Sequence, residues 1–374
     1  MARAVVHIGT EKTGTSQIQR FLSDNVERLA EHGMRYPAFL DQLNHTKLVV
    51  GFTQGHQDIH RQFDLVDESS TASFLTSLAE TFDAQIPRGS DDRWIFSSEH
   101  LASRFRAATQ VDAFRDWMST WFSEIEIVVY LRRQDFMASS SYSTFVRSGG
   151  TATWDLDNLT GDYFDLRGIV SRWSSAFGSD RVVVRPYFES MVADGSLIPD
   201  LLTTVALPPD DDWHLQPELA NQRLSQDAIY VLRMINQQLK TRISRVPIDR
   251  GPVVDLLVQL TPGPGWRFPL SVTREVARHF RVSNELLVTR LGATEPWNRW
   301  LGQEPVGGPD DPVPLPTETV VEILMTLAQD GLLTAPENDL PVGYEPTLGE
   351  RLDSLCTRVN RRMRRRGEPT APTS

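Results

Sequence analysis

The sequence has almost no cysteine and no long apolar run. Cys356 is the only cysteine among the 374 residues. A single cysteine excludes an internal disulfide and a zinc site built from several cysteines, and it fits a reducing compartment. No run of about 18 apolar residues occurs, and the first apolar residues are typical of a strand rather than of a signal peptide. We therefore expect a cytoplasmic protein without a membrane span.

An excess of basic residues is also missing. The formal net charge is −11, which argues against a general nucleic-acid-binding protein. Arginines do cluster from Arg358 to Arg366, and we interpret them as a solvated helix end before a disordered tail at 367–374. A contact with an anionic surface is the alternative for this cluster. The sequence carries no signal for a particular oligomeric state.

The lysine of the common nucleotide-binding loop is absent from its usual place. Gly9 and Gly14 are separated by four residues and are followed by Thr15 and Ser16, which nearly matches the Walker A frame. That frame has a lysine where Thr15 stands. Here the lysine is Lys12, inside the loop, so the cation is displaced from the place that serves a β/γ-phosphate beside Mg²⁺.

The apolar pattern predicts strands that alternate with helices. The most continuous apolar run, 125–131, is typical of a strand in the middle of a parallel sheet. We predict an α/β fold, with a P-loop-like parallel sheet flanked by helices and a helical C-terminal extension. The predicted strands are 4–8, 34–37, 93–98, 125–131 and 181–187. The predicted helices are 18–32, 74–82, 111–122, 136–146, 169–177, 225–239, 271–280, 283–291, 318–333 and 348–365.

The loop lies between the first predicted strand and helix, where N–H groups and the helix dipole would face an anion. Its segment from Lys12 to Ser16, Lys-x-Gly-Thr-Ser, resembles the 5′-phosphosulfate loop of sulfotransferases that use 3′-phosphoadenosine-5′-phosphosulfate (PAPS). A second motif follows the strand 125–131, where Arg132 and Ser140 stand eight residues apart, similar to the 3′-phosphate motif of that family. An arginine fork and a serine hydroxyl suit a phosphate.

The resemblance is to bacterial sulfotransferase-like proteins and covers about residues 3–290, including segments 172–187, 221–225 and 282–284. It implies a PAPS-binding core at 1–207, a mostly helical part at 208–366 that completes the acceptor site, and no metal. The Arg-Lys-Gly triplet that cytosolic members use for the 3′-phosphate is absent, and Arg223 or Arg147 is the possible substitute. The cofactor-binding residues that the resemblance implies are Glu11, Lys12, Thr13, Gly14, Thr15, Ser16, Arg132, Ser140 and Arg223.

Sulfuryl transfer needs a cation at the leaving oxygen and a base at the acceptor hydroxyl. Lys12 suits the first task. Three residues remain open for the base. His45 lies where Golgi-type members place a base, His100 precedes a leucine as in cytosolic members, and Glu99 suits the carboxylate variant. On an extended segment Glu99 and His100 would point to opposite sides, so only one of them would face the acceptor.

The resemblance implies transfer of a sulfuryl group from PAPS to a hydroxyl, or an amine, of a carbohydrate, lipid or small metabolite. Two alternatives stay open at the level of the sequence. One is a P-loop nucleotide-dependent phosphotransferase or kinase, which the displaced Lys12 disfavours. The other is a non-catalytic protein of the same fold. Retention of Lys12, Arg132 and Ser140 together favours an enzyme.

Overall fold

A computed structural model describes residues 2–329, apart from residues 41–42, 54–56, 88, 210–211, 216–222, 243–250 and 311–314. The predicted helix at 348–365, the arginine cluster and the predicted tail lie outside the described residues. Within these ranges, no helix is both long enough and apolar enough to cross a bilayer.

Five parallel strands form one sheet in the order β2-β3-β1-β4-β5. The first strand in the sequence lies in the middle, with β3 and β4 on either side. The chain leaves β1 toward one edge and later crosses to the other, so the loops after β1 and β4 diverge at the carboxyl end of the sheet, where open α/β sheets bind ligands. The strands are β1 (Ala2–His7), β2 (Met34–Arg35), β3 (Arg93–Ser97), β4 (Phe122–Leu131) and β5 (Val182–Pro186).

Helices connect the strands and continue beyond the sheet. They are α1 (Thr15–Asp24), α2 (Val26–Glu31), α3 (Lys47–Val50), α4 (Gln57–His60), α5 (Glu68–Gln85), α6 (His100–Arg104), α7 (Ala108–Met118), α8 (Gln134–Arg147), α9 (Leu156–Thr160), α10 (Leu166–Phe177), α11 (Ser190–Ala193), α12 (Leu197–Thr204), α13 (Gln226–Arg242), α14 (Gly251–Leu260), α15 (Leu270–Arg290), α16 (Glu295–Leu301) and α17 (Thr317–Gln329). The predicted fold class is confirmed.

Side chains that alternate along the strands enter two separate apolar clusters, one on each face of the sheet. On β1, Val6 joins the cluster that includes Phe114 and Trp173 from α7 and α10, whereas Val5 joins the cluster that includes Ile18 and Leu22 from α1. Burial of a side chain such as Ile18 or Leu22 contributes about 1.5–3 kcal/mol, so α1 is held firmly against the sheet. The anion-facing end of α1 is positioned by this packing.

The chain divides into two compact units that interleave along the sequence. One unit comprises 1–138, 155–219 and 272–306 and contains the sheet; the other comprises 139–154, 220–271 and 307–374. In the second unit, Asn236 on α13 donates to the carbonyls of Val146 (2.7 Å) and Gly150 (3.1 Å). The division of the chain between 1–207 and 208–366 stays a prediction.

Three of the helix predictions differ from the structure. The predicted helix 111–122 is too long, because α7 ends at Met118 and Phe122 is already the first residue of β4. The predicted helix 18–32 is broken at Asn25, whose side-chain amide donates to the Phe21 carbonyl at 2.9 Å and separates α1 from α2. The two helices predicted at 271–280 and 283–291 form the single helix α15. No glycine or proline separates them, and Val276, Phe280 and Leu287 continue one buried stripe.

Candidate active site

The loop after β1 is fastened to β4 through its backbone. The N–H of Thr10 donates to the carbonyl of Tyr130 at 2.9 Å, and the N–H of Tyr130 donates to the carbonyl of Gly9 at 2.7 Å. The Thr10 hydroxyl donates to the same Tyr130 carbonyl at 3.1 Å. The first part of the loop therefore continues the sheet and has a fixed position before the chain turns into α1.

Four consecutive N–H groups follow at the turn into the helix. Within the described residues, the N–H groups of Thr13, Gly14, Thr15 and Ser16 donate to no backbone carbonyl. The Thr13 hydroxyl, which is fully buried, donates to the Thr10 carbonyl at 2.6 Å and braces the turn. Unpaired N–H groups at the start of a helix, together with its dipole, form an anion site. Four such N–H groups are donors of the kind that bind a phosphate or a sulfate.

The turn needs glycine at two places. Gly14 has φ +75°, and a Cβ there would lie 2.4 Å from Cδ2 of Leu197. Gly9 has φ +102°, and a Cβ there would lie 3.0 Å from Cα of Glu99. Lys12 also adopts the left-handed region, with φ +68°, although it is not glycine. The loop is thus closely packed between α12 and the segment that follows β3.

Arg132, directly after β4, is buried beside this loop. One guanidinium nitrogen donates to the carbonyl of Lys12 at 2.9 Å, and the other pairs with the carboxylate of Glu189. The guanidinium carbon lies 5.8 Å from the centre of the Tyr187 ring. The contact of Arg132 with a 3′-phosphate stays a prediction.

Glu11 is the centre of a polar cluster on the other side of the loop. Its carboxylate accepts from the Tyr163 hydroxyl at 2.7 Å and lies 3.7 Å from Nδ1 of His100 and 3.5 Å from Arg104. Burial alone would raise the pKa of Glu11, but the interactions with His100, Ser103 and Tyr163 and the charge of Arg104 outweigh it and lower the pKa to about 2. Glu11 is therefore ionised and anchors the loop to α6.

His45 is fully buried and its ring nitrogens are not available in this arrangement. Its Nδ1 accepts the N–H of Ser97 at 3.2 Å, so the neutral ring carries its proton on Nε2. The ring lies 4.6 Å from that of Tyr36, centre to centre. Burial lowers the pKa of His45 to about 3, so it stays neutral. No lone pair is left to take a proton from an acceptor, and His45 is the least suited of the three predicted bases.

Glu99 and His100 do not lie on an extended segment, so the prediction that their side chains point to opposite sides is wrong. Glu99 has helical backbone angles (φ −68°, ψ −16°) at the start of α6. Neighbouring side chains there diverge by about 100° instead of 180°, because a helix has 3.6 residues per turn. One carboxylate oxygen of Glu99 accepts from the buried amide of Gln19 on α1 at 2.7 Å. Both residues are half-buried and border the loop.

Ser140 and Arg223 belong to the second unit and are described within it. Ser140 lies in the middle of α8 and is half-buried. Arg223 is exposed, and its side chain lies against Gly265, where a Cβ would meet the Cβ of Arg223 at 2.5 Å. Their contact with a cofactor stays a prediction. In the part of the chain that the structure describes, no group of three or more His, Cys, Asp or Glu residues is arranged to hold a metal ion.

Several residues of this region were not identified from the sequence. Gln19, Arg104, Tyr163 and Glu189 contact Glu99, Glu11 or Arg132. Arg104 stands four residues after His100 on the short helix α6, so that spacing could have indicated it. Tyr163 and Glu189 are 152 and 57 residues from their partners, and no local pattern marks them.

No family model matches the chain. A stretch of 186 residues is 31% identical to an uncharacterized protein of Archaeoglobus fulgidus; it covers 49% of each protein, so the chain spans about half the length of the curated relative it matches.

Two solved structures resemble the chain at low scores. A sulfotransferase from Alicyclobacillus acidocaldarius aligns with a TM-score of 0.39 and 16% identity, over 66% of this chain and 97% of that one. The sulfotransferase domain of the olefin synthase from Synechococcus PCC 7002 aligns with a TM-score of 0.28 and 11% identity, over 71% and 96%. The assignment of a function therefore depends on the residues of the site.

Proposed function

We propose that this protein transfers a sulfuryl group from PAPS to a hydroxyl, or an amine, of a carbohydrate, lipid or small-metabolite acceptor. The observation that supports this proposal is the loop between β1 and α1. It presents four backbone N–H groups without a backbone acceptor and carries its lysine at position 12 instead of at position 15. This arrangement suits a phosphosulfate better than a β/γ-phosphate with Mg²⁺.

Different residues of the site have different roles in the proposed reaction. PAPS, when bound, supplies a sulfuryl group attached to a 5′-phosphate. The N–H groups of residues 13–16 and the hydroxyls of Thr15 and Ser16 hold the 5′-phosphate. The ammonium of Lys12 stabilises the negative charge that builds up on the bridging oxygen as its bond to sulfur breaks. We keep Arg132, Ser140 and Arg223 as the predicted contacts of the 3′-phosphate.

The new bond joins the sulfur to the acceptor oxygen, and that oxygen must lose its proton to a base. We assign this role to His100, since its Nδ1 faces the ionised Glu11 and its Nε2 is then the nitrogen that accepts the proton. Glu11 acts through His100 as a positioning residue, and it also directly precedes Lys12 in the loop. Glu99 is the alternative base.

Calorimetry with the product nucleotide, 3′-phosphoadenosine-5′-phosphate, tests the cofactor. We expect it to bind at least about tenfold more tightly than AMP or ATP, because only it offers a 3′-phosphate to be recognised. Equal binding of AMP would remove the predicted role of a 3′-phosphate site. Turnover of ATP in the presence of Mg²⁺ would favour the phosphotransferase alternative.

A Lys12→Ala variant tests the chemistry. We expect the turnover number for sulfuryl transfer to fall by about 10²–10³-fold, the effect of removing one group that stabilises transition-state charge. Arg20→Ala is the matched control, because Arg20 is exposed on α1 and its loss changes the net charge equally. Full activity of Lys12→Ala would refute the mechanism.

A further inference from the structure

Arg132 connects two parts of the site through a single guanidinium. It is buried, with a relative exposure of 6%. One terminal nitrogen donates to the Lys12 carbonyl at 2.9 Å, and the other meets the Glu189 carboxylate. The arginine fork is thus held at one end by Glu189 and fixes a backbone group of the loop at the other.

The carbonyl that Arg132 holds belongs to the peptide between Lys12 and Thr13. In a planar trans peptide, the C=O and the following N–H point in opposite directions. A Lys12 carbonyl fixed on Arg132 therefore turns the N–H of Thr13 away from Arg132. That N–H is the first of the four that donate to no backbone carbonyl in the described part of the chain.

The backbone at Lys12 gives this contact a further role. Its φ of +68° lies in the left-handed region, which is unfavourable for a residue other than glycine. A contact with a buried charged group can offset such a cost, since hydrogen bonds to charged groups are stronger than neutral ones. The contact of the Lys12 carbonyl with Arg132 thus helps to hold Lys12 in its left-handed conformation.

The charge of Arg132 is also already balanced. The Glu189 carboxylate compensates the guanidinium and holds the fork where it reaches the Lys12 carbonyl. We infer that Arg132 is a positioning residue of the 5′ loop, which orients the Lys12–Thr13 peptide so that the Thr13 N–H faces the 5′-phosphate. This inference rests on the proposed function and assigns Arg132 a role in addition to its predicted contact with the 3′-phosphate.

Binding of adenosine 5′-phosphosulfate tests the inference, because this nucleotide has the phosphosulfate but no 3′-phosphate. We expect Arg132→Gln and Arg132→Lys each to weaken its binding by about tenfold, the effect of one lost hydrogen bond. The lysine variant keeps the charge but cannot contact both Lys12 and Glu189 as the fork does. If either variant binds this nucleotide as tightly as the unchanged protein, the inference is overturned.

Arg185→Gln is the matched control. Arg185 pairs with Asp200 in the same unit, so this variant also loses an arginine–carboxylate pair but leaves the loop contacts unchanged. We expect it to bind adenosine 5′-phosphosulfate like the unchanged protein. A loss as large as that of the Arg132 variants would assign the effect to general destabilisation and overturn the inference.

A crystal structure of Arg132→Lys without nucleotide gives a readout that is independent of the donor. We expect the Lys12 carbonyl to turn from its present direction. An unchanged Lys12–Thr13 peptide would contradict the inference even if the protein uses PAPS. A different result would contradict the proposed function: the unchanged protein would neither turn over PAPS nor prefer a 3′-phosphorylated nucleotide.

Discussion

Arg132 and Arg133 are neighbours of the same residue type with different partners. Arg133 is held in a two-point pair by Asp135, at 2.7 and 2.8 Å, and donates to the carbonyls of Leu301 and Gln303. It links the end of β4 to the last residue of α16 and to Gln303, two residues further on, whereas Arg132 faces the loop. The sequence places two arginines at a strand end, but it cannot show which of them faces the site, because the partners are distant in the chain.

The loop itself was the most predictable part of the site. Its glycines and Lys12 are consecutive in the sequence, and a strand before it and a helix after it are enough to turn its N–H groups outward. The environment of Glu11 was not predictable to the same extent. His100 and Arg104 come from α6 and Tyr163 from far along the chain, so only the folded chain brings them to Glu11.

Removal of the imidazole at His100 tests the assignment of the base. We expect His100→Asn to lower the turnover number by about 10²–10⁴-fold. Glu11→Gln removes the carboxylate that faces Nδ1 of His100, so we expect a smaller fall in the turnover number. Both variants are measured as initial rates at saturating donor and acceptor.

His279→Asn is the control, since His279 is exposed on α15. If Glu99→Gln abolishes turnover while His100→Asn retains it, the base is Glu99 and the assignment to His100 is wrong.

At the scale of elements, the local sequence determines the ends of the helices and strands only in part. The strand β4 was predictable from its nearly continuous apolar run at 125–131, in which every residue except Glu126 is buried. The break between α1 and α2 was not, because Asn25 ends the helix through contacts that include the carbonyl of His214, 189 residues away. Tertiary contacts determine such helix ends, and these contacts cannot be predicted from a single sequence.

Gly14 gives a prediction at this scale. Gly14→Ala places a methyl group against Leu197 and leaves a side chain at φ +75°. We expect the free energy of unfolding to fall by about 1–3 kcal/mol, and binding of the 3′-phosphorylated product nucleotide to weaken because the N–H groups beside position 14 shift. Urea unfolding and calorimetry measure the two effects.

The companion variant is Gly14→Ala combined with Leu197→Ala. The smaller side chain on α12 removes the collision but not the backbone strain, so we expect nucleotide binding to be restored in part. A Gly14→Ala protein with unchanged stability and unchanged binding would show that the close approach of α12 does not shape the loop.

At the scale of the whole molecule, acid sensitivity follows from two buried histidines. His7 and His45 are fully buried, and burial lowers their pKa values from 6.5 to about 4 and about 3. Below pH 6.5 the unfolded chain takes up protons that the folded protein excludes, so the free energy of unfolding falls as the pH falls toward those values. At pH 5 each histidine is expected to cost about 2 kcal/mol.

Urea unfolding between pH 5 and pH 8 measures this slope. His45→Asn should reduce it by about half, since an asparagine oxygen can accept the Ser97 N–H without titrating, and His279→Asn should leave it unchanged. Glu11, with its pKa lowered to about 2 from 4.5, contributes stability that is lost only below about pH 4.5, outside this range. A slope that His45→Asn does not alter would contradict the role of burial.

The fold class, an α/β fold with a parallel sheet, was predictable from the sequence. Alternating strands and helices indicated a parallel sheet, and the sheet is present. The strand order and the interleaving of two units were not readable, because both depend on which distant segments pack together. Segment 139–154, for example, continues directly from the sheet-containing unit yet belongs to the other one.

The attachment of the loop to Tyr130 has a consequence for the order in which the chain becomes functional. During synthesis, β1 leaves the ribosome before β4 and α12. Thr10 therefore has no hydrogen-bond partner until Tyr130, 120 residues later, has been made, and Gly14 does not meet Leu197 until later still. Contacts so far apart in sequence form slowly. The nascent chain therefore carries the loop after β1 in an unformed state until Tyr130 and Leu197 have both been made.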